Sequence, residues 1–305
     1  MSPAFGFKTR KGASTFLAAY NAALKRWPVA YEELEVPTRF GTTHVIVSGP
    51  RDAPPLVLLH GYMATSVMWL PNIRDFSREH RVYAIDVMGQ ASKSIPVEPI
   101  RDRADFVAWL TGTLDGLHLG RVSLVGQSFG GWVALGYAAA APERVEKLVL
   151  LSVGGFLPMA RQFNVRGMLM MLCPSRFTVL SFMRWLGLAE NPADPDTHLL
   201  GEFVDLMRLG LLNFKMAQET ARVAPTVFSD GELRSIQCPT LVLFGEQEVI
   251  CDPAAALARA TRLIPDSRGE LVPGARHEMC ATKYRLVDAR VLEFLKQPQG
   301  TRSAA

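Results

Sequence analysis

The chain has few cysteines, and their spacing excludes the usual cysteine-based sites. Four cysteines occur in 305 residues, with no C-x-x-C pair and no spacing typical of metal ligands. Four cysteines are too few for disulfides to stabilise a chain of this length, so a disulfide scaffold is not expected. We expect free thiols in a reducing, cytoplasmic environment at Cys173, Cys238, Cys251 and Cys280.

The chain also lacks a long apolar run. No segment approaches the ~20 residues that a membrane-spanning helix needs, so no stable membrane insertion is expected. Near the N-terminus, three basic residues precede the apolar stretch 16–24. A signal peptide would have a cleaner apolar core than one interrupted by Tyr20 and Asn21. We therefore interpret this segment as an amphipathic helix that ends before Trp27.

Charge of neither sign dominates. The 33 basic and 29 acidic residues give a formal net charge of +4 and are scattered along the sequence. No basic block with interleaved aromatic residues occurs, so nucleic acid is not an expected partner. Apolar residues make up 49% of the chain and charged residues 20%. This composition is typical of a globular protein with a large core rather than of a disordered chain.

Strand and helix patterns alternate every ~25–35 residues over residues 31–155 and 235–297, which predicts an α/β fold with a mostly parallel sheet and helices on both faces. Residues 156–234 interrupt this alternation with helical patterns and no convincing strand. We expect them to form an inserted helical cap over the sheet. Residues 1–30 are predicted to be an N-terminal helical extension, and residues 298–305 a disordered tail.

The predicted cap is rich in methionine and aromatic residues, which make an adaptable apolar lining. These residues either hold the cap together or face a substrate pocket, and both interpretations stay open. The residues are Met159, Met168, Met170, Met171, Met183, Met207, Met216, Phe156, Phe163, Phe177, Phe182, Trp185, Phe203, Phe214 and Phe228.

A candidate nucleophile lies in Gly126-Gln-Ser-Phe-Gly130, between a β-branched and leucine-rich run and a small-residue helical pattern. This order predicts a strand, a sharp turn and a helix, with Ser128 at the apex of the turn. Because Gly126 and Gly130 have no Cβ atom, strand and helix can approach each other closely. The alternative is a glycine-rich turn that only packs a helix on a sheet.

A serine hydroxyl needs a base to act as a nucleophile, and the base needs a group that orients it. His277 lies in a loop directly after the last predicted strand, so it belongs at the same sheet edge as Ser128. The loop 245–253 offers three carboxylates for the orienting role. Glu246 is suited to capping the turn, and Asp252 precedes a proline as a helix N-cap does. Glu248 is therefore the favoured acid.

Acyl transfer also needs two N–H donors for the oxyanion that develops. The backbone N–H of Phe129, directly after the serine, is one candidate. The N–H of Tyr62, in the loop 60–66 after the third predicted strand, is the other. The Tyr62 side chain either forms part of a pocket or only packs.

Together these segments resemble the α/β-hydrolase superfamily over residues 31–295. The resemblance implies an eight-stranded sheet with an antiparallel second strand, and a helical lid after strand six. Gln127 departs from the histidine and Glu248 from the aspartate that are usual there, and Gln90 replaces a glycine; none of these changes removes a catalytic group. The matching segments are His60-Gly-Tyr, Asp86-Val-Met-Gly-Gln-Ala-Ser-Lys-Ser, Gly126-Gln-Ser-Phe-Gly-Gly, Leu243-Phe-Gly-Glu-Gln-Glu and Gly274-Ala-Arg-His277.

These residues predict a serine hydrolase that cleaves a carboxylic ester of a hydrophobic small or medium substrate through an acyl-enzyme on Ser128. His277 would be the base and Glu248 would orient it, with no cofactor and no metal. Serine at this position argues against relatives with an aspartate nucleophile. The alternatives are thioester, lactone or carbon–carbon bond hydrolysis, acyl transfer, or a ligand-binding protein without catalysis. The sequence does not indicate an oligomeric state.

Overall fold

One twisted sheet organises the protein. A computed structural model describes residues 6–188, 200–215, 223 and 225–298. In this part of the chain the strands are β1 (Tyr31–Thr38), β2 (Gly41–Ser48), β3 (Pro55–Leu59), β4 (Arg81–Ile85), β5 (Ile95–Pro96), β6 (Val122–Gln127), β7 (Val145–Leu151), β8 (Thr240–Gly245) and β9 (Ser267–Val272).

The strand order is β1-β2-β4-β3-β6-β7-β8-β9, and the two-residue β5 pairs with β2. β2 is antiparallel to β1, β4 and β5, while the pairs from β4 through β9 are all parallel. The predicted, mostly parallel sheet with an antiparallel second strand is therefore confirmed. The central strands are buried on both faces, as expected of parallel strands that are covered by helices.

Two boundary predictions are wrong in detail. The alternating pattern of residues 31–36 predicts a strand that Pro37 ends, but β1 continues to Thr38 and pairs Pro37 with Thr42. Because β1 is an edge strand, the missing N–H of Pro37 does not have to break the ladder. The spacing of apolar residues over 69–78 predicts a helix, but the structure has a 3-10 turn at Ser66–Trp69 followed by the short helix Ile73–Phe76.

Five of the eleven described α-helices begin at a side chain that caps them. Asp102 accepts the N–H of Asp105 at 2.9 Å, and Asp252 accepts the N–H of Ala255 at 3.1 Å with a proline at the next position. The described helices are α1 (Arg10–Leu24), α2 (Ile73–Phe76), α3 (Arg103–Gly116), α4 (Phe129–Ala140), α5 (Arg161–Leu172), α6 (Arg176–Trp185), α7 (Leu200–Asn213), α8 (Asp230–Arg234), α9 (Pro253–Leu263), α10 (Met279–Thr282) and α11 (Tyr284–Lys296). None of them is both long and apolar enough to cross a membrane.

The predicted N-terminal helix is present as α1. Its buried side chains pack in the core against the sheet. Phe16 and Tyr20 of α1 are fully buried, and the Tyr20 ring meets the His44 ring edge-on at 5.9 Å. The segment before α1 also pairs with the end of α7, since the Lys8 N–H donates to the Asn213 carbonyl at 2.7 Å.

Helices α5 to α7 follow β7 and precede β8, at the predicted position of the cap. They share an apolar cluster of their own, which includes Met170, Val179, Phe182 and Val204. The limits 156–234 of the cap stay a prediction. All but the first residue of the predicted tail, 298–305, lies outside the described residues.

Candidate active site

Ser128 stands at the turn between β6 and α4 in a strained backbone conformation. Its φ is 51° and its ψ is −112°, a region that residues with a side chain rarely occupy. The turn is held from both sides: the Ser128 N–H donates to the Leu151 carbonyl at 2.9 Å, and the Ser128 carbonyl accepts the Trp132 N–H at 3.0 Å. The predicted strand, turn and helix are confirmed, with the serine at the apex.

The two glycines of the motif have the close contacts that the sequence predicts. A Cβ atom on Gly126 would lie 2.5 Å from the Gly130 carbonyl oxygen, and one on Gly130 would lie 2.2 Å from the Leu59 carbonyl oxygen. Both distances are far below van der Waals contact. Any side chain at these positions would push α4 away from β3 and β6.

Ser128, His277 and Glu248 lie in one hydrogen-bonded line. His277 Nε2 is 3.0 Å from Ser128 Oγ, and His277 Nδ1 is 3.0 Å from Glu248 Oε1. The same carboxylate oxygen accepts the N–H groups of Val249 at 2.7 Å and Ile250 at 3.1 Å. These backbone donors fix the position of the Glu248 carboxylate. The carboxylate in turn orients the His277 imidazole through Nδ1, and Ser128 lies at the opposite nitrogen, Nε2.

The electrostatics of the pair favour a basic imidazole. Burial alone would raise the pKa of Glu248, but the neighbouring His277 lowers it, and the pKa of this carboxyl falls below its ordinary value. Burial alone would lower the pKa of His277, but the Glu248 carboxylate raises it above its ordinary value. Since an ionised carboxylate only accepts hydrogen bonds, Nδ1 carries the proton and Nε2 is left to accept from the serine hydroxyl.

The other predicted candidates for the acid and the base have different partners. Glu246 Oε2 accepts the Gly274 N–H at 2.9 Å, which ties its loop to the loop of His277, and Asp252 caps α9. Among the described residues, no other histidine makes a hydrogen bond to Ser128. His198 lies outside the described residues.

The two candidate oxyanion donors stand on either side of the serine turn. Phe129 is the first residue of α4, so its N–H has no acceptor within the helix. The loop of Tyr62 packs directly on the turn, since a Cβ atom on Gly61 would lie 3.7 Å from Ser128 Cβ. The Tyr62 and Phe129 rings meet edge-on at 5.5 Å, and burial raises the pKa of Tyr62 to about 12.

Ser152 contacts this site and was missed by the sequence reasoning. It follows β7, is fully buried and has a positive φ of 46°. Its hydroxyl is near enough to help lower the pKa of the Glu248 carboxyl, although neither Ser152 Oγ nor Glu248 Oε2 makes a hydrogen bond of ordinary geometry. The one signal in the sequence was its position at the end of β7, the strand next to the one that precedes Ser128.

A cavity of about 560 Å³ opens beside Ser128 and His277. Nine of the cap residues singled out in the sequence line it: Met159, Met168, Met170, Met171, Met183, Met207, Phe163, Phe182 and Phe203. Five others do not, namely Phe156, Phe177, Trp185, Phe214 and Phe228, and Met216 lies outside the described residues. Several residues of the predicted cap thus face a pocket, while three of the five others are buried elsewhere, Trp185 is half-buried and Phe177 is exposed.

The cavity is also lined by an acidic residue that the sequence did not indicate. Glu278 lines it directly after His277. Within the ranges that the structure describes, no three histidine, cysteine, aspartate or glutamate side chains are grouped as a metal site would require.

Comparison with known proteins gives relatives over nearly the whole chain. The family model for the alpha/beta hydrolase fold matches residues 54–177. A Bacillus subtilis protein described as uncharacterized carboxylesterase nap is 36% identical over 93% of both chains. The carboxylesterase YbfK of the same organism is 37% identical over 92% of this chain and 93% of its own.

A solved structure has the same architecture. The crystal structure of naproxen esterase (carboxylesterase NP) from Bacillus subtilis superposes with a TM-score of 0.86, at 35% identity, over 95% of this chain and all of the other. With these relatives and the matching family model, the chain belongs to the α/β-hydrolase fold family.

Proposed function

We propose that the protein is a serine hydrolase that cleaves carboxylic esters through an acyl-enzyme on Ser128. The line of hydrogen-bonding distances from Ser128 through His277 to Glu248, beside an apolar cavity, is the observation that carries this proposal. Relatives named carboxylesterases, at 36% and 37% identity, support ester chemistry.

In the first half of the reaction, Ser128 Oγ attacks the ester carbonyl carbon while its proton moves to His277 Nε2. Glu248 stabilises the imidazolium that forms. The carbonyl oxygen becomes an oxyanion, which the N–H groups of Phe129 and Tyr62 stabilise. When the carbon–oxygen bond of the alcohol breaks, His277 returns the proton to the leaving oxygen. The acyl group then remains on Ser128 as an ester.

In the second half, water attacks the acyl carbon and gives a proton to His277 Nε2. The second oxyanion collapses, the bond to Ser128 breaks, and the serine oxygen takes the proton back from His277. The carboxylic acid leaves and the enzyme returns to its first state.

The cavity supports a hydrophobic small or medium substrate. Its volume of about 560 Å³ lies in the range of small-molecule sites, and apolar residues dominate its walls, with methionine the most frequent. Because α5 to α7 supply many of these walls, we propose that residues 156–234 act as the cap that sets substrate choice. Thioester, lactone and carbon–carbon bond hydrolysis and acyl transfer share the first step, and no observation favours them over ester hydrolysis. A ligand-binding role leaves the strained serine and its buried partners without a use.

We also propose a reducing, cytoplasmic location, as the cysteines indicate. All four cysteines are free thiols, and burial raises the pKa of Cys238 to about 11 and of Cys251 to about 12, which keeps both protonated.

Hydrolysis of a neutral aryl butanoate ester tests the enzymatic proposal. Ser128→Ala should lower kcat by about 10⁴-fold or more, since the variant has no nucleophile. Ser235→Ala, at an exposed serine outside the cavity, is the matched control and should keep the wild-type rate. Wild-type turnover in folded Ser128→Ala would refute the proposal.

A further inference from the structure

Glu278 places a carboxyl group in the wall of the cavity beside His277. The residue is half-buried and lines the same cavity as Ser128. Its backbone is pinned to the cap, because the Glu278 N–H donates to the Leu186 carbonyl at 3.1 Å. Among the described residues, its side chain has no hydrogen-bond or ion-pair partner. The carboxyl is therefore positioned by the backbone and left open on the cavity side.

The surroundings offer this carboxyl no compensating charge. The other ionisable side chains among the described lining residues are Tyr62 and His277, and no lysine or arginine is among them. His277 already pairs with Glu248. Burial raises the pKa of Glu278 above its ordinary value, and the nearby Glu248 adds to the rise against the opposing effect of His277. An unpaired carboxylate in a mostly apolar cavity is unfavourable for folding, so a ligand is the natural source of the missing partner.

The chemistry of the site indicates which part of a substrate meets Glu278. His277 Nε2 must reach the serine oxygen first and the leaving alcohol oxygen afterwards. The alcohol part of the ester therefore lies on the His277 side of Ser128. Glu278 is the next residue and borders that same side of the cavity.

We propose that Glu278 is a specificity residue that binds a cationic group, such as a quaternary ammonium, on the alcohol part of an ester substrate. This inference rests on the proposed ester hydrolysis. A substrate cation would supply the positive charge that the described lining residues do not provide. It would also favour the ionised form of the Glu278 carboxyl. The surrounding methionine and aromatic side chains are suited to the methyl groups of such a cation.

A matched pair of esters tests the inference. The two substrates are choline butanoate and its uncharged carbon isostere, in which a tert-butyl group replaces the trimethylammonium group. The readout is the ratio of kcat/KM for the cationic ester to that for the isostere, measured within each variant. Because the ratio compares two substrates of one enzyme form, a general loss of activity cancels. We expect the ratio to fall about tenfold from wild type to Glu278→Gln, the loss of one charge pair.

Two controls make the outcome specific. Glu143→Gln removes an exposed carboxylate outside the cavity and should leave the ratio at its wild-type value. If Glu278→Gln does not fold by circular dichroism, Glu278→Met gives the same comparison with a side chain that the pocket already uses. A ratio that does not change in a folded Glu278 variant would overturn the inference. If the wild type hydrolyses neither ester nor an aryl butanoate, the proposed function itself fails.

Discussion

His277 Nε2 and Ser128 Oγ lie 3.0 Å apart, although 149 positions separate the two residues in the chain. Their contact follows from the order of the strands. β6, β7, β8 and β9 are parallel neighbours, so the loops after them meet at one edge of the sheet. Ser128 follows β6, Glu248 follows β8 and His277 follows β9. The parallel sheet thus brings together three residues that are distant in sequence.

The role of Glu248 can be separated from that of its neighbours in the same loop. Glu248→Gln replaces the acceptor for His277 Nδ1 by an amide and removes the negative charge. We expect kcat to fall by about three to four orders of magnitude, as for other orienting carboxylates. Asp252→Asn should keep activity, because asparagine caps α9 as well as aspartate does. Loss of activity in Asp252→Asn with normal rates in Glu248→Gln would move the acid to position 252.

The pH profile should report the interaction between Glu248 and His277. The base acts as the neutral imidazole, so kcat/KM rises as the pH increases through the pKa of His277. The carboxylate raises this pKa, and burial opposes the rise. In Glu248→Gln burial still lowers this pKa and only the smaller effect of Glu278 still raises it, so we expect the acidic limb of the residual activity to move to lower pH. An NMR titration of the His277 ring checks the same shift directly. An acidic limb that stays at the same pH or moves to higher pH would contradict the interaction between Glu248 and His277.

Gly130 should tolerate no side chain. In Gly130→Ala the new Cβ atom would meet the Leu59 and His60 carbonyl oxygens at 2.2 and 2.5 Å, and both are backbone atoms. We expect a loss of stability of about 3 kcal/mol or more, or insoluble protein, because α4 must move. Gly120→Ala is the control, since no atom lies within 4 Å of its Cβ position. Equal melting temperatures for the two variants would show that α4 is packed less tightly on β3.

Asp288 should make the protein more stable at low than at high pH. It is buried on α11, and burial raises its pKa to about 8. The folded protein therefore binds a proton that the unfolded chain releases near the ordinary pKa of 3.8. The stability that this proton supplies is complete below that value and is lost as the pH rises through about 8. The cost at higher pH is of the order of a few kcal/mol.

Asp288→Asn tests this assignment. The asparagine oxygen can keep the hydrogen bond from Asn72 Nδ2, which is 2.7 Å long, and its amide can donate to Asn72 Oδ1, which has no partner. The variant should melt at a higher temperature than wild type at alkaline pH. It should also lack the loss of stability that the wild type shows as the pH rises through about 8. Asp52→Asn, at an exposed position, should keep the wild-type decline. Parallel plots of melting temperature against pH for Asp288→Asn and wild type would refute the raised pKa of Asp288.

Sequence reasoning succeeded where a residue type is required by local backbone geometry or by sheet topology. The serine turn could be predicted because Gly126 and Gly130 are the residues that allow such a close approach. The position of His277 could be predicted because every loop after a parallel strand reaches the same sheet edge. The place of Glu248 followed from the capping chemistry of Glu246 and Asp252. Asp252 caps its helix as expected, whereas Glu246 accepts the Gly274 N–H of the His277 loop instead of capping its own turn.

Features that depend on distant neighbours could not be predicted. The two-residue β5 has no periodic pattern and exists only because it pairs with β2. The pattern of residues 282–295 predicts a last helix, which is present as α11, but nothing in the sequence indicates the separate short helix α10 directly before it. Glu278 is an ordinary acidic residue in the sequence. Its importance arises from the helices of the cap, which lie about a hundred positions earlier in the chain and enclose it.

Covalent labelling of Ser128 tests the proposed nucleophile most directly. A fluorophosphonate reacts with a serine only when a base and an oxyanion site activate its hydroxyl. We expect one phosphonyl group per chain, located on the peptide of Ser128 by mass spectrometry, with no label in Ser128→Ala and very slow labelling in Glu248→Gln. Folded wild-type protein that stays unlabelled, or that carries the label on another serine, would contradict the account.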